Sequence, residues 1–369
     1  PGDVIQYIAA HDNLTLFDII AQSIKKDPSK AENYAEIHRR LRLGNLMVLT
    51  AQGTPFIHSG QEYGRTKQFL DPDYKTPVPE DKVPNKSHLL RDKDGKPFVY
   101  PYFIHDSYDS SDAVNKFDWT KATDGKSYPE NVKSRDYMKG LIALRQSTDA
   151  FRLKSLQDIK ERVQLITVPG QNGVEKEDVV IGYQITAPNG DIYAVFVNAD
   201  DKEREFTLGT EFAHLRNAQV LVDENQAGTL AIANPQGLKW TENGLKLNAL
   251  TATVLRITKE SPVLPSSPEK PEVQPSTPET NTDKPETNSQ TLVNKTDATN
   301  VQTLANQADS TNAQTLANKT DATQPRTDSP AQKVLPNTGT EKQSYLALAG
   351  ISLLSLLGLG SLIKSKKEE

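Results

Sequence analysis

Residues 4–13 read VIQYIAAHDN and residues 53–62 read GTPFIHSGQE. Each is a short apolar run ending in polar residues, which predicts two buried strands. Between them LTLFDIIAQSI (14–24) has the spacing of an amphipathic helix. A second, longer helix is expected next, with Asp27 as N-cap and Pro28 as first helical residue. Tyr34, Ile37, Leu41, Met47 and Val48 share one face of it, and Gly53 stops it. Strand, helix, strand is the order of a parallel unit, because parallel neighbours need a crossover. A last helix, with Ser134 as its cap and Met138, Leu141, Ile142 and Arg145 along it, completes residues 1–150. About two such units fit, too few for a closed layer, so further strands are expected ahead of Pro1. The chain begins without methionine or export signal and is expected to be a C-terminal fragment of something longer.

Residues 151–260 change character. ERVQLITV, DVVIGYQITA, DIYAVFVNA, EREFTLG, AQVLVDE and LTATVLRI are short β-rich runs. PNGD (188–191) and ENGL (242–245) place Asn-Gly turns between such runs, a strong hairpin signal. Strands without helices predict an antiparallel β-sandwich.

From 261 to 334 proline, threonine, serine, asparagine and glutamate dominate. Such a tract buries too little apolar surface to offset its ordering entropy. It repeats, with TNSQTLVN at Thr287, TNVQTLAN at Thr299 and TNAQTLAN at Thr311. This is read as a disordered spacer, about 240 Å long if fully extended. Residues 345–363 are apolar and uncharged, followed by Lys364, Lys366 and Lys367. As a helix they would span roughly 28 Å, the thickness of a bilayer core, with the lysines left on the cytoplasmic side.

Composition bounds the function classes. The chain has 369 residues, a net charge of −5 and 36% hydrophobic residues. Mild acidity gives no support for nucleic-acid binding. With no cysteine, disulfides, thiol catalysis and cysteine metal sites are excluded.

His11 and Asp12 fall at the carboxyl end of the first predicted strand. In (β/α)8 barrels that end carries the active site. Taken alone, the pair reads more readily as a loop that caps the next helix. Three segments together favour the first reading. GTPFIHSGQE resembles the G-x-P-x-x-x-x-G-x-E segment at the last barrel strand of the α-amylase superfamily of glycoside hydrolases. YIAAHDN resembles the segment at that superfamily's seventh strand. SYDSSDAVNKFDW (107–119) resembles the loop after the eighth strand in pullulanases and their debranching relatives. Leu335, Pro336, Asn337, Thr338 and Gly339, with the apolar span and basic tail behind them, resemble the LPxTG sorting signal of Gram-positive surface proteins. The whole is similar to the C-terminal third of a wall-anchored streptococcal pullulanase.

The resemblance implies the C-terminal part of a (β/α)8 barrel (1–150), then a β-sandwich (151–260), a spacer (261–334) and a sorting signal (335–369). It implies a retaining glycosidase acting on α-1,6 bonds of pullulan, glycogen or limit dextrins. Asp12 would be the third carboxylate of the superfamily, bonding sugar hydroxyls as the ring flattens toward an oxocarbenium ion. His11 would donate to the same sugar. Asp112 and Asn115 would line the neighbouring subsite, and Tyr108, Trp119 and Tyr102 are candidate stacking faces. Asp118 divides between substrate contact and loop support, while Gln61 and Glu62 read as structural. The nucleophile and acid/base segments are not recognised here, so the chain alone is expected to be inactive. Sortase would cleave after Thr338 and join it to peptidoglycan, with the membrane engaged only transiently. Calcium is common in the superfamily, but the acidic LDPDYKTPVPED (70–81) lacks a recognised loop spacing. The competing expectations are a wall-anchored α-1,4-acting amylase and a non-catalytic glycan-binding adhesin.

Overall fold

The computed structural model describes residues 4–171 and 174–259. The LPNTG pentapeptide, the repeat tract and the apolar segment 345–363 lie outside the described residues. Among the described residues no helix is long and apolar enough to cross a membrane.

The first part runs β1 (Ile5–Gln6), α1 (Leu16–Ile24), α2 (Ala31–Thr50), β2 (Thr54–Pro55), β3 (Ser87–Arg91), β4 (Pro97–Ile104), α3 (Asp112–Asn115), α4 (Trp119–Thr123) and α5 (Pro129–Ser147). β1 and β2 pair in parallel, Ile5 opposite Thr54, as the two apolar runs require. Helix α1 starts at Thr15, whose hydroxyl accepts from the Asp18 amide, and ends at Lys25 in the left-handed region.

Three expectations need correction. The run VIQYIAA contributes only two strand residues, and Val4, Ile5 and Tyr7 are exposed, because among the described residues only β2 pairs with it. Asp27 does not cap α2, which begins four residues later without a side-chain cap. The Asp27 carboxylate instead accepts from the Ser29 amide (2.9 Å) and the Val99 amide (2.7 Å), so it closes a turn and anchors β4. Ser134 does not start α5 but lies inside it, buried, 2.8 Å from His38 Nδ1 and accepting from Arg42.

The second part holds α6 (Leu156–Arg162), β5 (Val163–Thr167), β6 (Val180–Thr186), β7 (Ile192–Asn198), β8 (Arg204–Thr207), β9 (Gln219–Val222), β10 (Leu238–Trp240), β11 (Gly244–Leu247) and β12 (Thr251–Ile257). They form two antiparallel sheets, ordered β5-β6-β7-β12-β9 and β10-β11-β8. A 3-10 helix (Thr210–Asn217) interrupts the all-strand expectation.

Strand β7 explains the layering. Its residues alternate sides with period two. Tyr193, Val195 and Val197 enter a core shared with Leu46, Met47, Leu141 and Leu144 of α2 and α5. Ala194 and Phe196 enter a second core with Phe206, Leu245 and Leu247 of the smaller sheet. Each Asn-Gly hairpin is present, but the two glycines do different work. Gly190 (φ +91°) supplies the left-handed step of the β6–β7 loop, where its amide donates to Ala187. Gly244 is needed for space, since a Cβ there would lie 1.9 Å from the Phe206 carbonyl.

Helix α5 meets the larger sheet's 226–228 loop at Gly140. A Cβ at this position would stand 1.9 Å from the Ala227 carbonyl oxygen. In an open helix Gly→Ala gains roughly 1 kcal/mol. Here Gly140→Ala is expected to destabilise by about 1–3 kcal/mol, because backbone must move. Chemical denaturation measures it, and an unchanged or raised midpoint would contradict this packing.

Candidate active site

The chain leaves β1 and turns at His11, Asp12 and Asn13 before Thr15 caps α1. Because Thr15 performs the capping, Asp12 has no part in starting the helix. His11 and Asp12 side chains are 78% and 72% exposed, with His11 Nε2 3.5 Å from Asp12 Oδ1. Asn13 sits in the left-handed region (φ 61°), which an L-residue enters at a cost. Backbone bridging pairs Asp12 with Asp106, the residue just before the Ser107–Trp119 loop. Two sequence-distant segments thereby meet at one edge.

Beneath the turn lies a buried polar layer. Lys67 is 1% exposed, and its ammonium donates to the carbonyls of His11 and Asn13, each at 2.8 Å. Asp18 is fully buried, accepting from the Lys67 amide at 2.8 Å and from the Thr66 hydroxyl. Burial pushes the Asp18 carboxyl up to about 6, against the hydrogen bonds from Thr66, Lys67 and Thr15. Half-buried His58 is lowered to about 4, first by desolvation and then by the charges of Arg65 and Lys67. Arg65 Nη1 lies 3.4 Å from His58 Nε2, so that nitrogen is the acceptor of the neutral ring.

The 107–119 loop is held from within. Asn115 Nδ2 donates to the carbonyls of Ser107 (2.7 Å) and Ser110 (3.0 Å), while Arg65 donates to the Asn115 carbonyl (3.2 Å). The amide hydrogens of Asn115 are therefore committed to the loop. Asp112 is exposed at the start of α3. Asp118 caps α4 through the Lys121 amide, and its own amide donates to the Tyr63 hydroxyl, which places it in the support. Tyr108 (90%) and Trp119 (71%) are exposed, Trp119 backed by Phe117 at 4.5 Å between ring centres. Lys86 pairs with Asp106 (3.0 Å) and Asp109 (3.2 Å), and holds the Asp106 carboxyl below the usual carboxylate range.

Tyr102 is withdrawn as a stacking face. It is buried in the hairpin, and its hydroxyl accepts from the Val78 amide. Gln61 is buried against Asn45 (2.7 Å) and Glu62 accepts from the Gly60 amide (2.9 Å), the structural places expected for them. Asp71 closes its own turn by accepting from Asp73, and no metal-holding cluster of three or more acidic or histidine residues occurs among the described residues. Lys67, Asp106, Arg65 and His58 were not selected from sequence. The run Arg65-Thr66-Lys67 carried the only signal, three polar residues directly after the GTPFIHSGQEYG segment.

Residues 162–258 match the family described as SpuA C-terminal, and residues 327–369 match the LPXTG cell wall anchor motif. Pullulanase A of Streptococcus pneumoniae serotype 2 is 73% identical across 100% of this chain and 31% of that protein. The chain thus spans about a third of the length of the curated relatives it matches. Among solved structures, the catalytic module of the multi-modular glycogen-degrading pneumococcal virulence factor SpuA, with an inhibitor, is 90% identical. That match has a TM-score of 0.70 over 70% of this chain and 37% of that one. A Group B Streptococcus pullulanase in complex with maltotetraose is 56% identical, with a TM-score of 0.65 over 70% of this chain and 33% of that one.

Proposed function

We propose that this chain, by its similarity along the full length the C-terminal part of a streptococcal pullulanase with an LPXTG wall anchor, supplies one face of a retaining α-glucan debranching site. The parent hydrolyses α-1,6-glucosidic bonds in pullulan, glycogen or limit dextrins. Residues 1–150 form the closing part of a (β/α)8 barrel, 151–260 its β-sandwich, 261–334 a wall-crossing spacer and 335–369 the sorting signal. The exposed apolar side chains of Val4, Ile5, Tyr7 and Phe56 along the β1–β2 pair suit coverage by further barrel strands. The apolar, uncharged run 345–363 would hold the chain at the membrane for sortase, which passes Thr338 to peptidoglycan.

One observation carries the site assignment. The side chains of His11 and Asp12 stand exposed in the turn that follows β1 and take no part in capping the helix or holding the turn, since Thr15 does the first and Lys67, through backbone carbonyls, the second. A carboxylate so placed can accept from two neighbouring sugar hydroxyls, and those bonds strengthen as positive charge develops on the ring. His11 donates to the same sugar. Asp112, Asn115 through Oδ1, Tyr108 and Trp119 lie on the loop that Asp106 joins to this turn, and they line the adjacent subsite. The nucleophile and acid/base come from other strands of the same barrel, so the residues described here orient substrate and stabilise the transition state but do not cleave alone.

In the full-length parent, Asp12→Asn is expected to lower kcat on pullulan by about 100-fold or more with a much smaller change in KM. A charged hydrogen bond of this kind contributes roughly 3–4 kcal/mol at the transition state. Thermal stability should hold, because the side chain is exposed and caps nothing. Steady-state kinetics at wild-type kcat would remove Asp12 from the site.

The anchor has a separate test. Thr338→Ala should move the protein from the wall fraction to membrane and medium in a sortase-competent host. Fractionation and immunoblotting read this directly, and an unchanged wall fraction would refute the sorting assignment.

A further inference from the structure

We propose that Lys67 is the positioning residue of the His11–Asp12 turn, acting through the two backbone carbonyls that flank Asp12. The proposal rests on the reading of Asp12 as a transition-state contact and adds the element that holds it in place.

A lysine with 1% exposure is unusual, because an ammonium leaves water only where its donors are met. Asp18 is the obvious partner, yet the bonds are distributed otherwise. Asp18 uses its two carboxylate oxygens on the Lys67 amide and the Thr66 hydroxyl. The ammonium points past it, to the carbonyls of His11 and Asn13, both at 2.8 Å. Asp18 lies in the first turn of α1, three residues after Thr15. It therefore fixes the root of the lysine, and the lysine fixes the turn that leads into the same helix. The ring closes through residues 11–13, 18 and 66–67.

Geometry gives this ring a purpose beyond packing. Two carbonyls separated by one residue converge on a single donor only if the chain between them curls. Asn13 at φ 61° is that curl. Without the ammonium, Asn13 would tend to relax to negative φ, and Asp12 would swing with it. A displacement of ~1 Å in a substrate-positioning group costs on the order of 100-fold in rate. Burial lowers Lys67, while the nearby carboxyl groups of Asp18, Asp106 and Asp12 act in the opposite direction.

The test is a double-mutant cycle in the full-length parent, with kcat and KM on pullulan and Tm for wild type, Lys67→Met, Asp12→Asn and the double variant. Lys67→Met keeps the stem and removes the donors. Its kcat should fall by ~10- to 100-fold with KM changed less than about threefold. In the Asp12→Asn background the same substitution should cost less than about threefold more, because the carboxylate it positions is already gone. Losses that multiply would make Lys67 a general structural residue and overturn the proposal, as would unchanged kcat in Lys67→Met. If Lys67→Met does not fold, Lys67→Arg replaces it in the cycle. It keeps the charge beside Asp18 but presents its donors from a larger planar fork, so the two carbonyls are held in a different geometry, and failure of both to fold would also overturn the proposal. Wild-type kcat in Asp12→Asn alone is a different pattern: it refutes the role of Asp12 and removes the proposal's basis.

Discussion

The guanidinium of Arg145 holds together the part of the molecule from which the site is built. It is buried and donates to the carbonyls of Leu49 and Ala51, each at 2.8 Å, and of Gly53 at 2.6 Å. The first two are groups that the end of α2 leaves without intrahelical partners, and the third lies in the turn that follows. Gln52 adds a bond to the Ala150 carbonyl and accepts from the Leu153 amide. The α2–β2 turn is thus fixed by α5 and the segment after it, not by its own residues. From that turn the Thr54 amide donates to Val4 and the Phe56 amide to Gln6, which aligns β1 and launches the chain toward His11. A single buried cation therefore joins the helical layer, the parallel pair and the site edge. A buried Arg among carbonyls is stable because five fixed donors can satisfy several acceptors at once.

Legibility in the sequence followed the range of the interactions involved. Helices α1, α2 and α5, the six β runs and both Asn-Gly hairpins were readable because period and turn chemistry are local, whereas the short helices α3, α4 and α6 were not. The failures were long-range. Asp27 and Pro28 have the chemistry of a helix start, but Val99, far along the chain, takes the carboxylate, and the helix starts later. Ser134 resembles a cap, yet His38 and Arg42 claim its hydroxyl inside α5. Tyr102 looked like a stacking ring because nothing in its neighbours reveals that a hairpin folds over it. Gly140 gave no signal at all, since its reason is a carbonyl at residue 227.

The same division applies to the site. His11, Asp12, Asp112, Asn115, Tyr108 and Trp119 belong to motifs that show themselves in short windows. Lys67 does not, because its importance lies in two carbonyls more than fifty residues earlier. Backbone acceptors carry no sequence identity, so no pattern of residue types can point to them. Asp106 is similar: it meets Asp12 through backbone bridging and pairs with Lys86 across a hairpin. What recognition motifs name is the layer proposed to face substrate. What folds that layer into place is written in distances.

The most direct test of this account is the structure of the full-length parent bound to a branched maltooligosaccharide. The account predicts the Asp12 carboxylate at about 2.6–3.2 Å from two adjacent hydroxyls of the sugar beside the scissile bond. Lys67 should remain on the His11 and Asn13 carbonyls beneath it. A bound oligosaccharide whose sugars make no contact with Asp12, with that carboxylate bonded to water or to protein alone, would contradict it.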